Sequence, residues 1–452
     1  MKEYCKEGSV LFGSVIKWII LASLTGLIVG GATTFFLKLL DFSVRHVREL
    51  PFKYYLLLPF AIFTSIFLIR TFAKDAEGHG TEKVLEAIHK KEGKIDIFVV
   101  PIKLLTTIIT ISFGGSAGKE GPSAQIGAGI MSFISQKLKL SKEERKKLII
   151  CGISAGFGAV FGTPVAAAIF AIEVLFVGSI LYEVLLPSFI SSIVAIKIAK
   201  YFGIPYHFFN IEVPTIHGDF LYIQTILAGM CFALVGFLLI YTLKNMEHIS
   251  SKFKHKPYLK ALLASLFIIF IALIFGEESL GLGTNTMYAM LEGETKFWYT
   301  PILKIITTAT TLSFGGSGGI LTPVFVIGAG TGSFIGKLFN SSTAFFAALG
   351  LVSLLAGACN TPLSAIMLSI ELFGMQIAPY SGIATTIAFV LIGHRSVYPT
   401  QILAMKKTAS FDIELGKEIK ESSIINYWNR NKKKVEAKVL NVKLGEDNET
   451  KE

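Results

Sequence analysis

Two stretches decide how this chain is read: Phe113-Gly-Gly-Ser-Ala-Gly-Lys-Glu-Gly-Pro122 and Phe314-Gly-Gly-Ser-Gly-Gly-Ile-Leu-Thr-Pro323. They stand 201 residues apart, and each breaks an apolar run with glycines followed by a proline. The correspondence continues outward. Ile126-Gly-Ala-Gly129 matches Ile327-Gly-Ala-Gly330, and Gly78-His-Gly-Thr81 matches Gly281-Leu-Gly-Thr284. Thr163-Pro164 and Ile172-Glu173 match Thr361-Pro362 and Ile370-Glu371. Four landmarks in one order, at nearly one offset, make the chain a duplication.

A period near 200 residues is too long for a solenoid; in an apolar chain it fits a two-fold transporter architecture. The composition agrees: 52% of the residues are hydrophobic and 17% charged, with a mean hydropathy of +0.61. Soluble domains carry about 25% charged residues. Apolar runs from Ser9–Leu40 to Tyr380–Gly393 predict roughly ten or more membrane segments of unequal length, several shorter than the roughly 20 residues a crossing needs. The expected fold is therefore an all-α integral membrane protein with many tilted and partly spanning helices. Residues 1–405 are read as the membrane domain, with halves at about 10–200 and 220–395, and 406–452 as a polar, cytoplasmic tail. The halves can be parallel or inverted, and inversion is the commoner reason for broken helices meeting head to head.

Several classes drop out. The first apolar stretch is longer than a cleavable signal uses, with no small-residue cleavage site after it. Four scattered cysteines, Cys5, Cys151, Cys231 and Cys359, show neither a disulfide framework nor a metal-ligand spacing. The net charge of +11 comes from lysines and arginines clustered in loops, the usual membrane-protein pattern. No basic face with interleaved aromatics points to nucleic acid. No cofactor or metal is expected, and no catalytic residue.

The chemistry lies in the breaks. Proline suits the first turn of a helix, so Gly118–Pro122 and Gly318–Pro323 are each expected to open one. A helix start leaves N–H groups unpaired and carries about half a positive charge. Unpaired donors are costly in lipid, and a small anion satisfies them while staying able to leave. Glu120 lies in the first such turn, where an intramembrane carboxylate is a functional candidate by default. It can occupy the anion site as a tethered competitor and open the path when protonated or displaced. The structural alternative is that it complements the helix dipole or pairs with Lys119; Leu321 at the aligned position shows that such a helix does without a carboxylate.

These motifs resemble the CLC chloride channel and proton-chloride antiporter family, in its prokaryotic form without C-terminal regulatory domains. Gly118-Lys-Glu-Gly-Pro122 is similar to the signature whose glutamate is the external gate, and Gly319-Ile-Leu-Thr-Pro323 to the second signature, with Leu321 in place of phenylalanine. Gly78-His79-Gly80 falls where the family has Gly-Ser-Gly, with Thr81-Glu82 replacing isoleucine-proline. Tyr398 stands where the family keeps an inner tyrosine. The resemblance implies inverted halves in a homodimer, one pore per subunit, chloride or a similar small anion as cargo, and a prokaryotic plasma (inner) membrane. It implies anion ligation by His79, by the first helix start (Gly118, Lys119 and Gly121), by the amides of Ile320 and Leu321, and by the Tyr398 hydroxyl. Gly78, Gly80, Pro122, Gly318, Gly319 and Pro323 are expected to shape the turns. The regulatory nucleotide-binding pair of many relatives does not fit within Lys406–Glu452.

Two departures matter. By the match of Phe161–Glu173 to the family pattern, Val174 takes the place of the inner proton glutamate, beside Glu173. Valine carries no proton, which favours voltage-gated-type passive conduction; proton-coupled antiport of chloride, another halide or nitrate is the alternative. His79 replaces a serine and can donate to an anion or turn away as a cap. Glu173 and Glu371 are read as capping or pairing groups. Gly26-x-x-x-Gly30 and Gly152-x-x-x-Gly156 are read as helix-packing seams. A remote reading is an intramembrane serine protease, because Gly114-Gly-Ser-Ala-Gly118 and Gly315-Gly-Ser-Gly-Gly319 both fit the nucleophile pattern, with His394 as a distant partner.

Overall fold

The computed structural model describes residues 2–215, 220–409, 411–422 and 424–426. Among the described residues, eight α-helices make up each half. The first half holds α1 (Lys2–Arg48), α2 (Leu58–Phe72), α3 (Thr81–Lys90), α4 (Val99–Ser112), α5 (Glu120–Lys137), α6 (Lys142–Phe161), α7 (Pro164–Glu173) and α8 (Leu185–Tyr201). The second holds α9 (Phe220–Ser251), α10 (Pro257–Phe275), α11 (Thr284–Leu291), α12 (Thr300–Ser313), α13 (Leu321–Leu338), α14 (Thr343–Cys359), α15 (Pro362–Phe373) and α16 (Ala378–Ile392). Local signals recur with the repeat. Ser141 caps α6 in a capping box with Glu144, and Ser342, 201 residues on, caps α14.

Among the described residues seven helices are long and apolar enough to cross a membrane, and four shorter apolar helices accompany them. Helix α13 differs from the outer spans. Its apolar window is 83% buried inside the protein, against 22% for α1, so α13 lies at the centre and α1 faces lipid. The expected seams hold α1 and α6 close to their neighbours. A side chain at Gly26 would reach within 2.5 Å of the Ser191 carbonyl on α8, and one at Gly156 within 2.5 Å of the Ser123 carbonyl on α5.

Ion pairs define two opposite faces. Lys17 pairs with Glu144, Lys142 with Glu92, and Lys90 with Glu418 at 3.0 Å, so the loop after α3 and the start of α6 share a face with the chain after α16. Arg45 and Arg48 stand about 40 Å further along α1 at 1.5 Å per residue, at the mouth of a cavity on the other face. The end of α4, Ser112, lines that cavity together with Arg48 and Tyr54. Its counterpart at the end of α12, Ser313, instead accepts hydrogen bonds from Ser250 and Lys260, and Lys260 lies near Arg70 at the far end of α2 from Tyr54. Equivalent helices thus end on opposite faces, and the halves are inverted.

The expected polar tail is docked as far as it is described. β1 (Phe176–Val177) pairs in parallel with β2 (Ile402–Leu403), and β3 (Phe411–Ile413) pairs antiparallel with β4 (Ile424–Asn426). Lys407 sends its ammonium to the Phe389 carbonyl and the Asn360 side chain, both at 2.6 Å. Residues 427–452 lie outside the described residues.

Candidate functional site

The two breaks meet. Gly118 N–H donates to the Gly319 carbonyl and Gly319 N–H to the Gly118 carbonyl, each at 2.7 Å, as a two-way antiparallel bridge between the halves. Hydroxyls repeat the exchange around it. Ser116 N–H donates to Thr311 Oγ1 and Ser317 N–H to Thr110 Oγ1, both at 3.1 Å. Ser116 Oγ bonds Thr308 at 2.8 Å, and Ser317 Oγ bonds Thr106 at 3.0 Å. Both serines are therefore fully buried ties between the halves. His394 accepts from the Lys407 amide instead of facing either serine, and the protease reading has no geometry to support it.

The bridge places the start of α5 against the start of α13. A side chain at Gly319 would lie 2.8 Å from the Gly121 nitrogen and 3.1 Å from Pro122, so the close approach needs glycine. Gly80 is required for the same reason: it holds φ at +77°, and a Cβ there would lie 2.6 Å from the Gly121 carbonyl. One expectation is corrected here. The Gly118 amide is used by the bridge and is not available to an anion; Gly118 shapes the site.

Glu120 reaches across this junction. Its Oε2 accepts the Thr322 N–H at 3.0 Å and the Thr322 hydroxyl at 2.5 Å. The carboxylate is fully buried and forms no ion pair with Lys119 among the described residues; it occupies the first turn of α13, where unpaired amides and the helix dipole favour a negative charge. No acceptor engages the amides of Gly121, Ile320 or Leu321 among the described residues. Around them lie polar atoms that are buried without a partner: Glu120 Oε1, His79 Nδ1, Thr81 Oγ1 and the Tyr398 hydroxyl. A buried polar atom without a partner is costly, so this cluster suits a small polar or charged occupant. His79 does not cap α3, which has no side-chain cap bond.

Two lysines that the motifs do not single out stand behind the turns. Lys103 on α4 is fully buried and donates to the carbonyls of Gly78, at 2.6 Å, and Ala76, at 3.1 Å. Lys304 on α12 is fully buried and donates to Gly281, at 2.8 Å, and Ser279, at 3.2 Å. They interrupt apolar runs at the repeat offset of 201, and that coincidence is a signal the sequence carries. Thr322 escapes notice because the second signature draws attention to Ile320 and Leu321.

A cavity of about 960 Å³ leads from one face to Glu120 and Thr322. Lys38, Arg45, Arg48 and Lys119 line it, with Asp41, Glu277 and Glu278 among them. On the other side, Val174 is fully buried; its carbonyl, like that of Cys359, accepts the Gln401 side chain at 2.8 Å. Glu173 accepts the amides of Leu363 and Ser364 at the start of α15, at 3.0 and 2.8 Å. Glu371 accepts those of Val165 and Ala166 at the start of α7, at 2.9 and 2.8 Å. Each half caps a helix of the other.

The family model described as voltage gated chloride channel matches residues 61–393, well over half of the chain. The chain belongs to the CLC family. This CLC chain is 29% identical over 401 residues to the chloride/fluoride channel protein of Pseudomonas syringae pv. tomato, covering 87% of this chain and 88% of that one. It is 27% identical to the H(+)/Cl(-) exchange transporter ClcA of Citrobacter koseri, over 68% of each chain. Its structure is similar to the crystal structure of a CLC-type fluoride/proton antiporter, with a TM-score of 0.80 at 28% identity, covering 85% of this chain and 98% of the other. The fold is thus the CLC fold of two inverted repeats. CLC proteins are membrane channels and transporters, and this chain is no enzyme.

Proposed function

We propose that this CLC chain passes small halide ions, chloride foremost, across a plasma membrane by a path that Glu120 closes. The observation that carries the reading is the seat of Glu120: its carboxylate takes the amide and hydroxyl of Thr322 at a helix start, a place suited to an anion. A halide competing for those donors, or protonation of Glu120, releases the side chain. The cavity above it is lined by Lys38, Arg45, Arg48 and Lys119 against Asp41, Glu277 and Glu278, an excess of one positive charge that favours an anion once Glu120 is neutral. Lysines gather on the opposite face, at Lys90, Lys91, Lys94, Lys139 and Lys142 and in the loop 252–260, which supports a cytoplasmic tail face and an outward cavity.

Glu120→Gln in liposomes is expected to speed chloride efflux and remove its pH dependence. An unchanged pH dependence would take the gate role away from Glu120. Fluoride is the second reading, favoured by the names of the two relatives at 29% and 28% identity. Parallel efflux recordings with chloride- and fluoride-selective electrodes decide between the two ions. As for mode, Val174 favours passive conduction if protons reach Glu120 only from the cavity. Exchange needs a proton route to Glu120 from the tail side.

A further inference from the structure

The turn that carries Tyr398 is held in place by one side chain. Tyr398, Pro399, Thr400 and Gln401 close a turn in which the Gln401 N–H donates to the Tyr398 carbonyl at 3.1 Å. Proline suits the second position of such a turn. The Tyr398 N–H donates to Ser396 Oγ at 3.0 Å, and the Ser396 hydroxyl donates to the Ala358 carbonyl at 3.2 Å. The Tyr398 backbone is thus tied on both sides, while its hydroxyl is buried without a partner in the candidate anion site.

The Gln401 side chain is fully buried and bonded at both ends. Its Nε2 donates to the carbonyls of Val174 and Cys359, both at 2.8 Å, and its Oε1 accepts Asn360 Nδ2 at 3.1 Å. Val174 is the C-cap of α7, and Cys359 is the last residue of α14. Helix ends leave carbonyls unpaired and carry partial negative charge. One amide therefore joins two such ends to the Tyr398 turn.

Asn360 completes the lock. It ends α14 in the left-handed conformation with φ at +58°, where its repeat counterpart Gly162 ends α6 at +73°. Glycine is the usual residue there. Asparagine adds a side chain that donates to Gln401 and to the Arg395 carbonyl, each at 3.1 Å, and accepts the Lys407 ammonium at 2.6 Å.

We propose that Gln401 is a positioning residue of the halide path: by clamping the ends of α7 and α14 to the Tyr398 turn, it sets where the Tyr398 hydroxyl stands and so sets halide affinity. The proposal rests on the halide reading above, with the Tyr398 O–H donating to the ion. Gln401 acts through Tyr398, because both ends of its own amide are already engaged. Without that amide, two buried carbonyls lose a donor and the turn is free to shift. A displaced hydroxyl no longer donates to an ion held by fixed backbone amides.

The test is a double-mutant cycle on the full chain in detergent, titrated with chloride by calorimetry. Tyr398→Phe removes the hydroxyl alone and is expected to weaken chloride binding by roughly tenfold, as for one lost hydrogen bond to an ion. Gln401→Met keeps the length of the side chain, removes the amide and is expected to give a loss of similar size. In the Tyr398→Phe background, Gln401→Met is expected to give no further loss, because no hydroxyl is left to misplace. Equal losses in both backgrounds would overturn the proposal, since Gln401 would then act through overall structure. Unchanged binding in either single variant overturns it too. If Gln401→Met does not yield folded protein, Asn360→Gly takes its place: it keeps the left-handed cap and releases Gln401 Oε1, and its loss must likewise vanish without the Tyr398 hydroxyl. Failure of the halide reading looks different, since a wild type that binds neither chloride nor fluoride brings down both readings before any variant is made.

Discussion

Lys103 and Lys304 hold the same carbonyl in opposite halves: the first donates to Gly78 at 2.6 Å and the second to Gly281 at 2.8 Å. Both ammonium groups are fully buried. Each ties a helix to a left-handed glycine turn that precedes a short helix aimed at the centre, α3 in one half and α11 in the other. Removing Lys103 leaves the Ala76 and Gly78 carbonyls without a donor, each costing about 1–3 kcal/mol, whereas without Lys304 the Ser279 carbonyl keeps the Thr307 hydroxyl and the Gly281 carbonyl keeps the Ala117 amide.

Lys103→Met is accordingly expected to lower thermal stability in detergent more than Lys304→Met does. Only Lys103 backs the turn that carries His79. Lys103→Met is therefore also expected to weaken chloride binding, measured by calorimetry, more than Lys304→Met does. Equal losses of binding would mean that the two lysines act on the site through overall structure alone.

Thr322 supplies both donors that hold Glu120. A hydrogen bond to a charged group contributes about 1.5–3 kcal/mol, so deleting the hydroxyl shifts the gate by roughly tenfold to a hundredfold. Thr322→Val keeps the amide and the shape. It is expected to raise chloride efflux at neutral pH and to have little effect in acid. Efflux traces from liposomes at two pH values check this; a variant slower at both would show that the hydroxyl serves the halide more than the gate.

Much of this arrangement is legible in the amino-acid sequence. The duplication, the two broken helices and the place of Glu120 follow from Phe113–Pro122 and Phe314–Pro323, because glycine and proline mark breaks through local backbone geometry. What stays hidden is what depends on contact across the repeat. Gly118 carries the right residue type for a ligand, yet its amide is taken by Gly319 in the other half. Inversion also escapes the sequence, since an offset is the same whether halves run parallel or opposed. The docked tail escapes it for a related reason: its strands are two and three residues long, below any periodic signal.

Glu173 and Glu371 cap each other's helices, and this makes a prediction against a proton role for Glu173. Glutamine keeps one acceptor oxygen and loses the charge at a helix start, where loss of a cap costs about 0.5–2 kcal/mol. Glu173→Gln is expected to lower the unfolding temperature and to leave the proton-to-chloride ratio as it was. A changed ratio in liposomes would give Glu173 a proton role beyond its cap.

The tail makes the last prediction, and it concerns acid. Glu418 is buried, which on its own would raise its carboxyl, but ion pairs with Lys90 at 3.0 Å and Lys420 at 3.1 Å outweigh burial and hold it below the usual carboxylate range. A carboxylate depressed in the folded state adds stability above its unfolded value of about 4.3, and that stability is lost as pH falls through the lower folded value. Docking of residues 401–422 is thus expected to be unaffected by pH from neutral down to about 5 and to loosen in stronger acid. Glu418→Gln is expected to loosen it already at neutral pH. Amide hydrogen exchange at Leu403 and Ile419, whose N–H groups bond Lys417 and Gln401 across the docked segment, reads this directly: faster exchange in the variant at pH 7 supports the ion pairs as the clamp, and equal protection would assign the docking to Lys407 and the short strands.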